Sequence, residues 1–298
     1  MRESGILMHI TSLPAPYGIG TMGKDAYAFV DFLVRAGQRY WQILPLTPTG
    51  YGDSPYQSLG ACAGNHYLID LDRLADEGLL KKEEIQNIPW GSNPARVDFG
   101  AMYAHRMNVL RQAFQRFTPD GAYETFVEQN RSWLEDYALF TALKDTLGGK
   151  PWLEWPEALR LRKADALAEK RRELSDEIRL QYFVQYEFDR QWKALRSYAN
   201  AKGVRIIGDV PIYVPLDSAD VWANPELFQL DESRHPEQVA GCPPDSFTAD
   251  GQLWGNPIYN WKKMAQTHYF WWIQRLTAAG KLYDVIRLDH FRGFESYW

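Results

Sequence analysis

The sequence has few cysteines and no long apolar run. Its two cysteines among 298 residues, Cys62 and Cys242, are far apart and lack the spacing of zinc ligands, so the sequence predicts neither a disulfide framework nor a zinc site. No apolar stretch approaches the roughly 20 residues of a membrane-spanning helix. The first residues, MRESGILMHI, lack the apolar core and cleavage site of a signal peptide. These absences predict a cytoplasmic protein with no membrane partner.

The sequence also has no excess of positive charge. There are 33 Lys and Arg against 38 Asp and Glu, which gives a net charge of -5. Without a basic surface, no nucleic-acid partner is predicted. The chain also lacks a phosphate-binding loop and any His and Cys cluster with metal-ligand spacing, so we predict no metal and no cofactor. His9, His66 and His290 are isolated in sequence, and we expect each to pack or to hydrogen-bond.

Aromatic residues, by contrast, are abundant. The chain contains 12 Trp, 17 Tyr and 14 Phe, and several, such as Tyr51, Tyr56 and Trp254, lie outside periodic core patterns. Flat aromatic side chains can stack on sugar rings as well as pack in a core. With 45% hydrophobic and 24% charged residues, the composition is that of a globular protein, and both uses of the aromatic residues stay open.

Three segments repeat one pattern, in which an amphipathic helix is followed by a short apolar run. They are DAYAFVDFLVRAG-QRYWQILPLTP, YEFDRQWKALRSYANAKG-VRIIGDVPIYV and THYFWWIQRLTAAG-KLYDVIRLDHF. We expect the helices to end at Gly37, Gly203 and Gly280. The runs are apolar on both faces, which is typical of buried parallel strands. With GILMHITSL near the start, the sequence predicts an α/β fold with four parallel strands.

Open doubly wound sheets and closed (β/α)8 barrels both produce this pattern. GIGTMG, at residues 18–23, has the G-x-G-x-x-G spacing of dinucleotide folds. Two prolines separate it from the first strand, however, and no acidic residue ends the second strand, so an NAD or FAD oxidoreductase is disfavoured. Asp209 and Asp289 fall at the carboxyl ends of strands, where the functional groups of barrels lie. The sequence therefore favours a TIM-type (β/α)8 barrel.

The barrel is expected to be interrupted. Residues 1–60 supply two βα units, residues 61–200 are read as a mostly helical inserted subdomain, and residues 201–298 supply strands three and four with a long active-site loop. A complete barrel has eight strands. We therefore expect a barrel truncated after its fourth strand.

The last predicted strand carries paired opposite charges. Arg287 and Asp289 are two residues apart, so their side chains leave the same face. A neighbouring guanidinium holds a carboxylate ionised, and an ionised carboxylate can attack an anomeric carbon in glycosyl transfer. A plain salt bridge is the alternative. Asp209 either hydrogen-bonds sugar hydroxyls or caps the turn before Pro211.

Two loops have unusual compositions. TGYGDSPYQS, residues 49–58, follows the second strand and brings Tyr51 and Tyr56 to the same end of the fold, although an ordinary turn would have similar residues. We read residues 241–261 as a second loop, longer than ordinary connections and therefore suspected of function. This second loop also presents polar and aromatic side chains, namely Asp245, Trp254 and Asn256.

Five segments together resemble one known family. They are HITSLPAPYGIGTMG, TPTGYGDSPYQSLGACAGNHYLI, IIGDVPIYV, CPPDSFTADGQLWGNPIYNW and VIRLDHFRGFESYW. In this order they resemble the amylomaltase, or disproportionating enzyme, family of 4-α-glucanotransferases, glycoside hydrolase family 77. The resemblance implies a (β/α)8 barrel with helical insertions. It also implies cofactor-free, retaining transfer of α-1,4-glucan segments between maltooligosaccharides.

The resemblance also implies roles for individual residues. Asp289 matches the catalytic nucleophile and Arg287 its supporting arginine. Asp209 matches a substrate-binding aspartate and Tyr56 a tyrosine that stacks beside the cleaved sugar. Trp254 matches an aromatic residue near the acceptor. Further substrate-lining residues with weaker matches are Tyr51, Asp245, Asn256 and His290.

The chain departs from the family pattern in one respect. The general acid/base glutamate of the family follows on the next strand, beyond residue 298, and Glu295 does not occupy its position. Retaining chemistry needs two carboxyl groups about 5 Å apart, so we expect these 298 residues to be inactive on their own. An α-amylase-type hydrolase and a non-catalytic glucan-binding fragment remain the alternatives.

Overall fold

The structure is a computed structural model that describes residues 2–93, 95–244, 246 and 248–296, and for Tyr51 the backbone only. Asp245 and the side chain of Tyr51 therefore lie outside the described residues. The strands are β1 (Gly5–Leu7), β2 (Tyr40–Gln42), β3 (Arg205–Val210), β4 (Val239–Cys242), β5 (Gln252–Pro257) and β6 (Val285–Leu288). The α-helices are α1 (Lys24–Arg35), α2 (Leu71–Asp76), α3 (Lys82–Gln86), α4 (Phe99–Arg116), α5 (Gly121–Thr146), α6 (Glu157–Arg160), α7 (Ala164–Glu173), α8 (Ser175–Ala201), α9 (Ala219–Ala223), α10 (Trp261–Gln266) and α11 (Phe270–Leu282).

Four strands form a parallel sheet in the order β1-β2-β3-β6. Ile6, Trp41 and Ile206 share one row across the first three strands, and Asp209 of β3 pairs with Arg287 of β6. The α/β fold with four parallel strands at the predicted segments is confirmed. Because parallel strands end at a common edge, the segments that follow β2, β3 and β6 are brought together.

The prediction of a continuous loop over residues 241–261 was wrong in part, because the region contains strand residues. β4 and β5 in this region pair as an antiparallel hairpin, separate from the main sheet. The segment QLWGNP of β5 contains glycine and proline and no β-branched residue, so it does not have the composition of a strand. The pairing with β4 overrides this weak local preference.

Helices cover the sheet and seal its core. In α1 the buried residues Ala26, Val30 and Leu33 recur at the spacing of one helical face. Trp41 of β2 is fully buried, and its ring meets that of Phe29 from α1 edge-on at 5.1 Å. Helix α8 contributes Trp192, Leu195 and Ala199 to the same core, which also contains Ile206 of β3.

The prediction that three helices end at glycine is confirmed for two of them. Gly37 and Gly203 follow α1 and α8 with φ of +70° and +79°, the left-handed conformation that glycine adopts without strain. Gly280 instead lies inside α11, which continues to Leu282 and is followed by Tyr283 in extended conformation. The third prediction was wrong because an exposed helix interior accepts glycine at a cost of about 1 kcal/mol.

A second core, rich in aromatic residues, lies beside the sheet. It joins α5, α9, α11 and the segment after β3, and it includes fully buried Trp152, Trp222 and Tyr259. Several buried polar atoms in this core are hydrogen-bonded. The Trp222 indole donates to the Leu159 carbonyl at 3.0 Å, and the Tyr259 hydroxyl donates to the Ile212 carbonyl at 2.6 Å. This core fixes the backbone that leaves β3.

Among the described residues, no helix is both long enough and apolar enough to cross a membrane. The two longest helices, α5 and α8 with 26 and 27 residues, carry charged side chains along their length.

Candidate active site at the carboxyl ends of the strands

The carboxyl ends of β3 and β6 bring three charged side chains together. Asp209 and Arg287 are directly opposite in the strand register, and Asp289 follows β6 with its backbone N–H donating to the Val210 carbonyl at 3.1 Å. Side chains at 287 and 289 leave the same face, as their spacing predicts.

One guanidinium bridges the two carboxylates. Nη1 of Arg287 lies 2.7 Å from both Oδ1 and Oδ2 of Asp209, and Nη2 donates to Oδ1 of Asp289 at 2.5 Å. The hydroxyl of Tyr56, from the loop after β2, donates to Oδ2 of Asp209 at 2.6 Å. We call Tyr56, Asp209, Arg287 and Asp289 the strand-end network.

The two carboxylates differ sharply in exposure. The side chain of Asp209 is 1% exposed and that of Asp289 is 38% exposed. In the part of the chain that the structure describes, Oδ2 of Asp289 accepts no hydrogen bond. Asp289 is therefore the carboxylate that an incoming ligand can reach, whereas Asp209 is buried and is held by hydrogen bonds from Tyr56 and Arg287.

Burial dominates the electrostatics of Asp209. Desolvation raises the pKa of Asp209, although hydrogen bonds from Tyr56 and Arg287 and the charge of Arg287 act in the opposite direction. Desolvation and the hydrogen bond to Asp209 also raise the pKa of the Tyr56 phenol. Tyr56 therefore keeps its proton at neutral pH and can serve as a donor.

The backbone beyond Asp289 is constrained. His290 has a φ of 50°, the left-handed conformation that costs a residue other than glycine roughly 1–3 kcal/mol. The Trp254 ring from β5 meets the His290 ring edge-on at 4.8 Å. The β4–β5 hairpin therefore places Trp254 next to His290, the residue that follows Asp289. A substrate site formed by both the hairpin and the end of β6 requires this proximity.

Not all the predicted site residues join the network. Asn256 is buried in β5, and among the described residues none of the hydrogen bonds that hold the network together involves it. Asp245 and the side chain of Tyr51 lie outside the described residues. Their substrate contacts stay predictions.

The residues that support the turn after Asp209 were not predicted from the sequence. Arg275 of α11, 5% exposed, donates from Nη2 to the Pro211 carbonyl at 2.6 Å and from Nη1 to the Ile212 carbonyl at 3.0 Å. Its guanidinium also lies over the rings of Trp271 and Trp272. A single arginine in the apolar stretch WWIQRL was the available signal, since a buried cation needs acceptors.

Tyr283 provides a second support. Its ring occupies the space beside Gly208, where an added Cβ would lie 2.1 Å from ring atoms, and its hydroxyl accepts a hydrogen bond from the Leu46 N–H at 3.4 Å. Within the described residues, no group of three or more His, Cys, Asp or Glu side chains is arranged to hold a metal ion.

A family model described as 4-alpha-glucanotransferase, glycoside hydrolase family 77, matches residues 8–298. The chain belongs to this family. It is similar to the 4-alpha-glucanotransferases of Streptococcus pneumoniae and Thermus thermophilus, each 51% identical over all of this chain and 60% of the relative. A chloroplastic/amyloplastic relative from Solanum tuberosum is 42% identical. The chain thus spans about 60% of the length of the bacterial relatives.

Solved structures of family members resemble the chain closely. Amylomaltase from Streptococcus agalactiae in complex with acarbose is 49% identical and superposes with a TM-score of 0.96, covering 100% of this chain and 61% of the other. Amylomaltase from Corynebacterium glutamicum, at 20% identity and a TM-score of 0.76, shares the fold. The resemblance stated from the five sequence segments is confirmed.

Proposed function

We propose that this chain carries the nucleophile side of a 4-α-glucanotransferase active site. The reaction moves an α-1,4-glucan segment from one maltooligosaccharide to the 4-hydroxyl of another sugar, with retention and without a cofactor. The observation that carries the proposal is the bridging of buried Asp209 and exposed Asp289 by Arg287 at the strand ends. The names of the relatives support the choice of reaction.

The first step of this reaction fits the geometry of Asp289. Its carboxylate oxygen forms a bond to the anomeric carbon as the glycosidic bond breaks, and the leaving oxygen takes a proton from a general acid. Arg287 positions the Asp289 carboxylate through Nη2, because its other terminal nitrogen, Nη1, is fixed on Asp209. In the second step, a sugar hydroxyl gives its proton to the general base and attacks the anomeric carbon. The bond to Asp289 breaks, and the carboxylate is released.

Asp209 and Tyr56 have the contacts of binding groups. Both oxygens of Asp209 already accept from Arg287, and one also accepts from Tyr56, so Asp209 is a poor proton donor to a leaving group. We assign these two residues to the cleaved sugar and Trp254 to the acceptor side. Further substrate-lining residues in the proposal are Tyr51, Asp245, Asn256 and His290.

The general acid/base is assigned to none of the 298 residues, so we propose that this chain does not turn over by itself. The proposed architecture is a (β/α)8 barrel of which residues 1–60 and 201–298 supply four strands, with residues 61–200 as a helical insert. The parallel order β1-β2-β3-β6 supports this arrangement. A cytoplasmic location remains part of the proposal.

The test uses a chimera in which residues 1–298 replace the matching part of the Streptococcus pneumoniae relative. We expect the chimera to release glucose from maltotriose, and Asp289→Asn to lower kcat by at least about 10³-fold with little change in acarbose affinity. Glu295→Gln serves as the matched control and keeps the activity. Full activity of Asp289→Asn, or of the 298-residue chain alone, overturns the assignment.

The same assay separates transfer from hydrolysis. Transfer leaves the number of reducing ends unchanged, whereas an α-amylase-type hydrolase creates a new reducing end at each turnover. We expect a constant count in the chimera. Calorimetric binding of maltoheptaose without any turnover in the chimera would instead favour a glucan-binding module.

A further inference from the structure

A cleft of about 380 Å³ lies on the helical side of the molecule. Helices α5 and α8 form one wall, α11 forms the other, and residues 60–64 with α9 form the floor. We call it the rear cleft. Its volume falls within the roughly 300–1,000 Å³ of small-molecule sites.

The rear cleft is separate from the strand-end network, since none of the four residues of the network lines it. A smaller cavity of about 40 Å³ lies between the two sites. Tyr56 and Asp209 line this small cavity, and so do Cys62 and Arg275, which also line the rear cleft. A volume of this size holds a few water molecules and no sugar ring.

The floor of the rear cleft is preformed. Gln185 of α8 accepts from the Gly64 N–H at 2.7 Å and donates to the Gly64 carbonyl at 3.0 Å, and Asp220 of α9 accepts from the Ala61 N–H at 2.7 Å. An added Cβ at Gly64 would lie 2.1 Å from the Phe188 ring. A ligand that binds here orders little of the protein, which lowers the entropic cost of binding.

Both walls present aromatic and neutral polar groups. Trp133 comes from α5 and Trp271 from α11, and both indoles are half-buried. The amides of Gln129 and Gln274 and the hydroxyl of Thr277 line the same space. Indole faces stack on the C–H faces of sugar rings, and amides bond to sugar hydroxyls as both donors and acceptors.

Charge in the rear cleft is balanced. Asp136 is paired with Arg162 at 2.7 Å and Asp189 with Lys193 at 2.6 Å. Among the other charged lining residues, Asp220 stands against Arg275 and Lys281. Because neither sign prevails, the cleft has no strong preference for an ionic ligand, and an uncharged polar ligand fits it better.

One buried donor in the wall lacks an acceptor. Arg275 is 5% exposed, and its Nε has no hydrogen-bond partner among the described residues. Leaving such a donor unpaired is unfavourable, because the N–H loses its hydration on burial and gains no acceptor in return. A ligand oxygen or a water molecule in the cleft would supply the missing acceptor.

We propose that the rear cleft is a second binding site, for a short uncharged sugar such as maltose, apart from the strand-end network. The choice of an α-glucan as the sugar rests on the proposed function. The site itself is argued from the aromatic walls, the balanced charge and the preformed floor.

The test is hydrogen exchange by mass spectrometry on the 298-residue chain with and without millimolar maltose. We expect slower exchange in the peptides of α5 and α11 that line the rear cleft. Thr277→Trp, at an exposed position, fills the cleft and is expected to raise the maltose Kd there at least about tenfold. The peptides around Tyr56 and Asp209 should respond to maltose as before.

A second variant keeps the proposal testable if Thr277→Trp fails to fold. Gln129→Ala removes an exposed lining amide of α5 and is expected to weaken protection in the rear cleft. Gln112→Ala, exposed on α4 outside the cleft, is the matched control and should leave protection unchanged.

The outcomes separate this proposal from the proposed function. Protection at the strand ends alone overturns the second site and leaves the transferase proposal standing. Protection in the rear cleft alone supports the second site and counts against glucan binding at the strand ends. No protection at either place contradicts both, and cleft protection that persists in Thr277→Trp and Gln129→Ala overturns the second site.

Discussion

The two ends of the four-stranded sheet use the same chemistry in different surroundings. At the amino end, Arg205 of β3 pairs with Glu3 at 3.1 Å and hydrogen-bonds Tyr40. At the carboxyl end, Arg287 pairs with Asp209 and Asp289. The side chains of Arg205 and Glu3 are 52% and 41% exposed, whereas that of Asp209 is 1% exposed.

This difference shows that the environment of an ion pair matters more than its presence. Water and salt screen the exposed pair, so it contributes little to stability. A buried carboxylate cannot regain its hydration, so it depends on its partner. At the carboxyl end, Asp209 is therefore the charged group that depends on its partner Arg287.

The largest difference between the two ends is expected on removal of an arginine. Arg287→Met leaves Asp209 buried without its cation, which we expect to lower the free energy of unfolding by about 3 kcal/mol, since Arg287 is itself partly exposed. Urea denaturation at pH 7 measures this. The double variant Arg287→Met/Asp209→Asn should recover most of the loss, and a loss in the single variant as small as that of a surface pair would contradict the comparison.

Gly208→Ala tests the packing beneath the carboxyl end. The new methyl group would collide with the Tyr283 ring, and we expect a loss of about 2–3 kcal/mol in the free energy of unfolding. Gly280→Ala is the matched control, because no atom lies within 4 Å of an added Cβ there. That control should stabilise the protein by up to about 1 kcal/mol, and equal effects of the two substitutions would refute the close approach.

The free energy of unfolding is expected to depend on pH through His9, which follows β1 at the carboxyl end of the sheet. Burial lowers its pKa from 6.5 to about 4, so the folded state holds it neutral while the unfolded state binds a proton below pH 6.5. Stability is therefore present above pH 6.5 and lost as the pH falls toward 4, by about 2 kcal/mol at pH 5. His9→Gln should remove this component in urea denaturation at pH 7 and 5, and an unchanged pH difference would rule out the buried neutral histidine.

The smallest effect is expected at the amino end. Arg205→Met breaks an exposed pair and should change the free energy of unfolding by no more than about 1 kcal/mol. Raising the salt concentration should shrink this difference further, because exposed charges are screened. A loss as large as that of Arg287→Met would show that exposure does not distinguish the two ends.

The sequence predicted the sheet well because its signals are local. Each of the four strands is a short apolar run, preceded in three cases by a helix, and the side chains of Arg287 and Asp289 share a face through simple alternation. The burial pattern of α1 and the glycines after α1 and α8 follow from the same short-range rules.

The contacts that complete the site are long-range and were not visible in the sequence. Tyr56 and Asp209 are 153 residues apart, and Arg275 reaches the turn after β3 across 63 and 64 residues. Each depends on how the helices pack. The β4 and β5 hairpin was missed because its own residues favour a loop, and only pairing with each other makes them strands.

The hydrogen bonds between residues 59–64 and the helices have a mechanical consequence. The Leu59 carbonyl accepts from Ala219, and Ala61 and Gly64 are tied to α9 and α8, so the segment that carries Tyr56 is clamped only three residues downstream. The segment that carries Tyr56 can therefore rotate about its attachment point but cannot shift along α9. We expect any approach of Tyr56 to a bound sugar to be a rotation about Leu59, with the helices acting as its fixed frame.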